Sequence, residues 1–454
     1  MKKVNFFLFF WFSILSLPKS NAQNVGINST GAPPHSSGML HIDVGLSTFK
    51  GFLVTGTFDV SSTVPNLGAG TRLMFYPGKA AFRAGYVDGT EWNNANVGLY
   101  STAMGYKTKA SGTGSTALGN QTIANGDIST TMGYQTTASG NTSAAMGSNT
   151  KATGDNSTAM GYNTTAGGIY SIAMGYTTTA SGPGSTAIGN NTIASGYTST
   201  AIGDFTNATG DNSTAMGYGT TASGDNSTAM GSLVNINNQK GAFIIGDADP
   251  KGEGTTFSGS PNQFVARFNN GYYLLTTGDA PATRMGVQIG HNGNAWVSIC
   301  DKNRKENFEP LSGDDVLQKI AKINFTSWNY KMQDAKTYRH YGIMAQDFYS
   351  AFGHDKYGTI GNDTTVNPID MIGIDMTAIQ ALEKRTTELK SQNAMLNKKL
   401  AEVDELKKEN ENLKQSFAQL EKMFDQQQKL IAQSLDQLKT FTIKRKDKET
   451  VAVK

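Results

Sequence analysis

Cysteine is almost missing: Cys300 is the only one in 454 residues, so no intrachain disulfide framework exists. Charge is scarce as well. Charged residues make up 17% of the chain, against about a quarter in ordinary soluble proteins, and the formal net charge is only +3. No field strong enough to collect nucleic acid or anionic lipid follows from that. After the first twenty residues no stretch reaches the roughly 18 uninterrupted apolar residues of a membrane helix, and the C-terminus is Lys-rich rather than built of amphipathic barrel strands. His35, His41, His291 and His354 have no metal-ligand spacing. No metal and no cofactor is expected.

What the chain does have is glycine, fifty-one of them, with much Ser, Thr and Asn, a balance that suits a fibrous repeat protein. The length calls for two to four structural units. Met1-Lys2-Lys3 followed by the apolar run Phe6 to Leu17 and small residues at Ser20 and Ala22 reads as a secretory signal peptide over residues 1–22, cut at Ala22/Gln23. Export to the extracellular space or outer cell surface is expected. Residues 23–100 mix Gly, Pro and short strands, and no chemistry is assigned to them.

From Ser101 the sequence falls into ten consecutive fourteen-residue units, the last decaying after Gly231. The fifth place is always glycine, Gly105 to Gly231, and the fourth always aliphatic, Met104 to Met230. A helical array is excluded, because glycine costs about 1 kcal/mol per helical position. A period this regular signals coils that stack only on their neighbours. Within Ser-Thr-Ala-Met-Gly the side chains alternate faces as in a strand, and Thr-Ala-Ser-Gly offers a second short strand. Small side chains would fill a cramped interior, leaving the aliphatic ones to pack on another chain. One coil buries too little apolar area to offset a chain entropy of roughly 1–2 kcal/mol per residue, so stacking and association must supply the rest.

These units resemble the head repeats of YadA-type trimeric adhesins, with Ser-x-Ala-x-Gly followed by Ala-x-Gly in nearly every unit from Ser101 to Gly231. The resemblance implies a left-handed parallel β-roll trimer on or outside a Gram-negative cell, although the membrane-anchoring barrel of those adhesins is missing. The roll is either a binding surface or a spacer. Over residues 241–299 the period is lost while strand-like runs persist, which reads as a β-rich neck. Asp247 and Asp249 there form either a calcium loop or a solvated turn.

Residues 300–390 change character: Cys300-Asp-Lys-Asn-Arg-Lys, Ser312-Gly-Asp-Asp-Val-Leu, Trp328-Asn-Tyr330, Arg339-His-Tyr-Gly-Ile-Met-Ala-Gln-Asp347. Ser312 with Asp315 marks a helix start, and Val316, Leu317 and Ile320 its apolar stripe. Together the segments resemble the intramolecular chaperone domain of endosialidases and phage tail spikes, which folds as a trimer, drives assembly of the β-fibre before it and cuts itself off. In that family a Ser-Asp-x-x-x-Lys segment carries the cut. By position Cys300 replaces the serine, Asp301 matches the supporting aspartate and Lys305 the base, so the scissile bond would be Ile299/Cys300. A thiol is easier to activate than a hydroxyl, and a neutral lysine in an apolar pocket could take its proton. The other reading makes Cys300 a small buried residue in a relative that no longer cuts. His340 is either a helper at the cut or a packing residue.

From Ile372 a heptad begins, with Ile379, Leu382, Leu389, Leu396, Leu400 and Val403 on its seam. A three-residue shift follows at Leu406, after which the seam resumes to Leu438, and Asn393 and Asn410 lie within it. A trimeric coiled coil over 391–440 and a basic tail over 441–454 are expected. The fold class is therefore mostly β with an α C-terminus: β-roll, β neck, α+β chaperone domain, coiled coil. The leading expectation is a secreted, homotrimeric, adhesin-like fibre with no nucleic-acid partner. The alternative is a glycan-binding or hydrolase appendage with its site in residues 23–100 or the neck and a chaperone domain that does not cut.

Overall fold

The computed structural model describes residues 25–28, 40–43, 52–248, 254–278 and 285–450. The expected signal peptide, His35, Asp249 and the last four residues of the basic tail lie outside them. The chain divides into two compact units, Met1–Ile299 and Cys300–Lys454.

The first unit is a parallel β-solenoid. Each fourteen-residue coil contributes a five-residue strand to one sheet and a two-residue strand to a second, and successive coils pair in register, as in Thr158–Tyr162 on Ile172–Tyr176 and Thr165–Ala166 on Thr179–Ala180. The interior is narrow. The alanines of both strands are wholly buried in coil after coil, together with the first-place serine and the eighth-place threonine. In most units the serine closes the corner before it, as where Ser115 Oγ donates to the Gly112 carbonyl at 2.6 Å, whereas the Ser171, Ser185 and Ser213 hydroxyls find no partner among the described residues. Left-handed residues turn the chain at the seventh and fourteenth places, often asparagine, for example Asn149 (φ 55°) and Asn156 (φ 57°). The fourth-place Met104 and Met132 point outward and are exposed.

Glycine at the fifth place is enforced by contact. At Gly161 the backbone has φ +121°, and a Cβ would sit 2.0 Å from the Gly175 carbonyl oxygen of the next coil. The glycines of the twelfth place meet the next coil as closely, Gly154 at 2.1 Å from the Gly168 oxygen.

The roll is longer than its visible period. Phe264–Arg267 and Phe243–Gly246 extend the first sheet, and Thr256–Phe257 extends the second. The expected boundary at Gly241 is therefore corrected: the first half of the neck is roll. Its period is hidden because the rung after Gly231 arrives one residue late, at Gly246, and the next seven residues late, at Arg267. Upstream, Ala81–Val87 pairs parallel with the first regular coil, and Gly70–Tyr76 folds back antiparallel on it. Beyond the roll, Gly271–Leu275, Gly286–Gly290 and Val297–Ser298 form an antiparallel sheet, which is what remains of the neck.

An arginine ties off each end. Arg83 stands in the alanine column, wholly buried, and donates to the Ser101 and Ala110 carbonyls and to Ser101 Oγ at 2.8–3.0 Å. Burial pushes its guanidinium down to about 10, so it remains charged at neutral pH. At the other end Arg267 donates to the Ser232 and Asp247 carbonyls at 2.9 and 2.8 Å. Asp247 in turn accepts from the Asn269 amide at 2.6 Å, so this carboxylate closes the roll and is not an open ligand in a calcium loop.

In the second unit Ser312 caps α1 (Gly313–Ile320), its Oγ accepting from the Asp315 amide at 3.3 Å. Val316 packs with Phe348 and Phe352 of α2 (Ala345–Phe352) and Ala378 of α3 (Pro368–Thr450) in a small core. Asn367 and Pro368 start α3, the Asn367 side chain accepting from the Ile369 amide at 3.0 Å. The helix is continuous across the three-residue shift at Leu406. No described helix is long and apolar enough to cross a membrane.

Gly161→Ala should destabilise the roll by several kcal/mol, on the order of 3 or more, because the added methyl meets backbone and the left-handed conformation is strained. Gly167→Ala should be neutral or slightly stabilising, since its nearest neighbour would be 3.8 Å away and no positive φ is required there. Paired thermal melts of the two variants check this.

Candidate functional site

The segment that opens the second unit is a single tight turn. Asp301 caps a 3-10 turn, Lys302–Arg304, by accepting the Asn303 amide on Oδ1 at 2.9 Å, and the Lys305 amide closes it onto the Lys302 carbonyl at 3.1 Å. Arg304 Nε lies 3.6 Å from Asp301 Oδ2. The turn folds Lys305 back over the start of the segment, where its Nζ donates to Cys300 Sγ at 2.9 Å. Three of the four residues expected at the cut, Cys300, Asp301 and Lys305, thus belong to one small constellation: thiol, amine, and the carboxylate that shapes the turn between them.

Cys300 is exposed in the single chain. Lys305 is exposed as well, so within the single chain the pair does not occupy the apolar pocket expected of it.

His340 belongs elsewhere. It sits on the short strand His340–Gly342, directly opposite Trp328 on Thr326–Trp328. Its ring stacks on Trp328 at 4.7 Å and touches Tyr330 at 5.8 Å, while Nε2 meets Gln333 Oε1 at 3.0 Å. Arg339 beside it donates to Asn329 Oδ1 and to the Ser327 carbonyl and hydroxyl. Two motifs far apart in the sequence, Trp328-Asn-Tyr330 and Arg339-His340, are therefore one hairpin. Among the described residues nothing joins His340 to Cys300 or Lys305, and the packing reading of this histidine is the one the geometry favours.

The remaining neck carries an apolar groove of about 590 Å³, lined by Phe264, Phe268, Tyr272, Leu274, Ile289 and Trp296 among others. Among the described residues no carboxylate lines it, so these residues offer no acid/base pair for glycoside chemistry.

The architecture defines a β-solenoid followed by an α+β module ending in one long helix. Within residues 97–233 eight windows match the YadA head domain repeat, and residues 300–354 match the chaperone of endosialidase family, beginning at Cys300 itself. No curated protein matches the chain.

His340→Ala should loosen the Thr326–Gly342 hairpin by about 1–2 kcal/mol through loss of the stack and of the bond to Gln333. Hydrogen exchange on the full-length protein reads this. If Cys300 chemistry stopped while the hairpin stayed protected, His340 would have to act on the cut itself.

Proposed function

We propose that the chain is a secreted or surface-exposed homotrimeric, adhesin-like fibre, and that its second unit is an intramolecular chaperone that trimerises it and then cuts itself free at Ile299/Cys300. The observation that carries this reading is the unpartnered seam of α3. Leu389, Leu396, Leu413 and Leu438 on that seam are each more than half exposed in the single chain. A lone helix with such a stripe leaves apolar area in water that two further copies would bury. The outward methionine column of the roll poses the same problem and admits the same solution. The order of the two family matches, adhesin repeat before chaperone, supports it, and the adhesin repeats support an extracellular location.

The cut follows from the Cys300–Lys305 pair. Lys305 takes the thiol proton, Sγ attacks the Ile299 carbonyl carbon, and the carbon–nitrogen bond breaks as the Cys300 nitrogen gains a proton. A thioester remains, which water hydrolyses to the Ile299 carboxylate and the free thiol. Each chain does this once. Closure of the trimer around the turn would supply the apolar surroundings that the single chain lacks.

Intact-mass analysis of the mature protein should find a fragment beginning at Cys300 and ending at Lys454. Cys300→Ala and Lys305→Ala should leave the chain full-length, whereas Cys300→Ser should retain some cleavage. Full-length chain alone in both wild type and Cys300→Ser would mean that the module only trimerises.

Assembly is tested separately. Sedimentation should give about three times the chain mass, and a stable monomer at micromolar concentration would sink the fibre reading. Deleting residues 300–454 should leave the β-roll aggregated, because coil pairing is non-local and nucleates poorly. Soluble trimers from that truncation would rule out the chaperone role.

A further inference from the structure

The outer edge of the first sheet carries a ladder of side chains at the sixth place of each unit. Strand register aligns Tyr106, Asn120, Tyr134, Ser148, Tyr162 and Tyr176 on consecutive rungs. Where tyrosines occupy neighbouring rungs their rings stack nearly parallel: Tyr162 on Tyr176 at 5.1 Å and 9°, Tyr86 on Tyr106 at 5.6 Å and 7°. Ser148 interrupts that stack. Tyr134 and Tyr162 therefore stand two rungs apart, about 10 Å from two strand spacings, with one ring missing between them. Both are nearly half exposed, at 46% and 47%.

We propose that this slot, floored by Ser148 and walled by Tyr134 and Tyr162, binds a pyranose ring at the end of a glycan chain. The two walls offer aromatic faces roughly 5 Å from a ring centred between them, the placement that the C–H faces of a sugar need. The floor is the neutral Ser148 hydroxyl, 3.5 Å from Asn149 Nδ2, and the exposed residues that follow the two wall tyrosines are the amides Gln135, whose Nε2 donates to Gln121 Oε1 at 2.9 Å, and Asn163. The Asn163 side-chain amide has no partner among the described residues. A few polar groups around an apolar slot orient a polyhydroxylated ring. Lys107, two rungs above Gln135 in its column, is paired with Asp88 at 2.6 Å, and the nearest lysine in the Ser148 coil is the exposed Lys151, three residues on. At Asn120 the equivalent gap holds a longer side chain, which leaves Ser148 as the open one.

The slot lies at the strand end beside the left-handed residues Asn149 and Asn163 (φ 55° and 54°), two residues along each strand from the methionine column. It stands independently of the cleavage reading. A single ring held this way binds weakly, in about the millimolar range.

The full-length secreted protein is to be screened on a microarray of mammalian glycan termini and bacterial surface oligosaccharides, and the strongest oligosaccharide titrated by calorimetry. Ser148→Tyr inserts the missing ring and should keep the fold, since tyrosine already occupies neighbouring rungs, while weakening binding at least about tenfold. Tyr162→Ala removes a wall and should weaken it comparably, and Asn190→Tyr, at another break in the ladder, should leave it unchanged. A protein retained by no glycan, or a Ser148→Tyr variant that binds like wild type, would overturn the proposal. So would a slot that takes a tyrosine-bearing peptide in a Ser148-dependent way while taking no sugar.

Discussion

Backbone touches backbone in this molecule. Because the fifth- and twelfth-place glycines lie against the carbonyls of the next coil, each regular coil is flattened to a width filled by alanine, serine and threonine. Larger side chains enter the interior only toward the two ends, as Arg83 and as Val234, Ile236 and Ile244. The methionines, the tyrosine ladder and the corner residues are exposed for the same reason the alanines are buried. A solenoid with so thin an interior draws its cohesion from hydrogen bonds between coils more than from apolar burial, and its remaining apolar surface is external, available for contact with other molecules.

An open parallel stack has two raw ends, each a row of unpaired peptide groups that invites further strands. Arg83 and Arg267 answer this with the same chemistry. A guanidinium has several donors in a rigid fork and reaches two or three carbonyls at once: Arg267 those of Ser232 and Asp247, and Arg83 those of Ser101 and Ala110, which also accept the Phe82 and Gly98 amides. Arg83 does so from inside the alanine column, at the cost of desolvating its charge, and its partners there are oxygens of the first regular coil.

The regular part of this fold was legible because it depends on local, periodic residues. Glycine at every fourteenth position is a direct image of the coil-to-coil contact, and the Ser312 cap and the α3 seam are equally short-range. The parts that could not be read depend on non-periodic pairing. Gly246 and Arg267 lie on the same rung column as Gly231, but the late rungs between them erase the period. Arg83 in an alanine column has no sequence signal at all. At the candidate site the identity of Cys300 and Lys305 came from the order of residues in the motif, whereas their contact depends on the Asp301-capped turn. His340 went the other way: its neighbours in sequence invited a role at the cut, and strand pairing with Trp328 placed it in a packed hairpin.

Near-identical coils create a further difficulty that the rest of the chain must solve. If three copies associate through the methionine column, sliding one copy by a whole coil changes almost nothing in the contact, since Met160 would simply meet what Met146 met before. The roll alone therefore selects no register, and misaligned assemblies lie close in free energy to the aligned one. Heptads are degenerate in the same way, by seven residues at a time. What breaks the degeneracy is aperiodic sequence: Asn393 and Asn410 in the seam, the three-residue shift at Leu406, and a module built from α1, α2 and the first turns of α3 that has no repeat at all. Polar seam residues lower stability in exchange for a single alignment. On the proposed reading, an aperiodic module placed after the repeats would supply alignment information that the repeats lack, and once the coils had paired, the hydrogen bonds along the roll would hold the register without it.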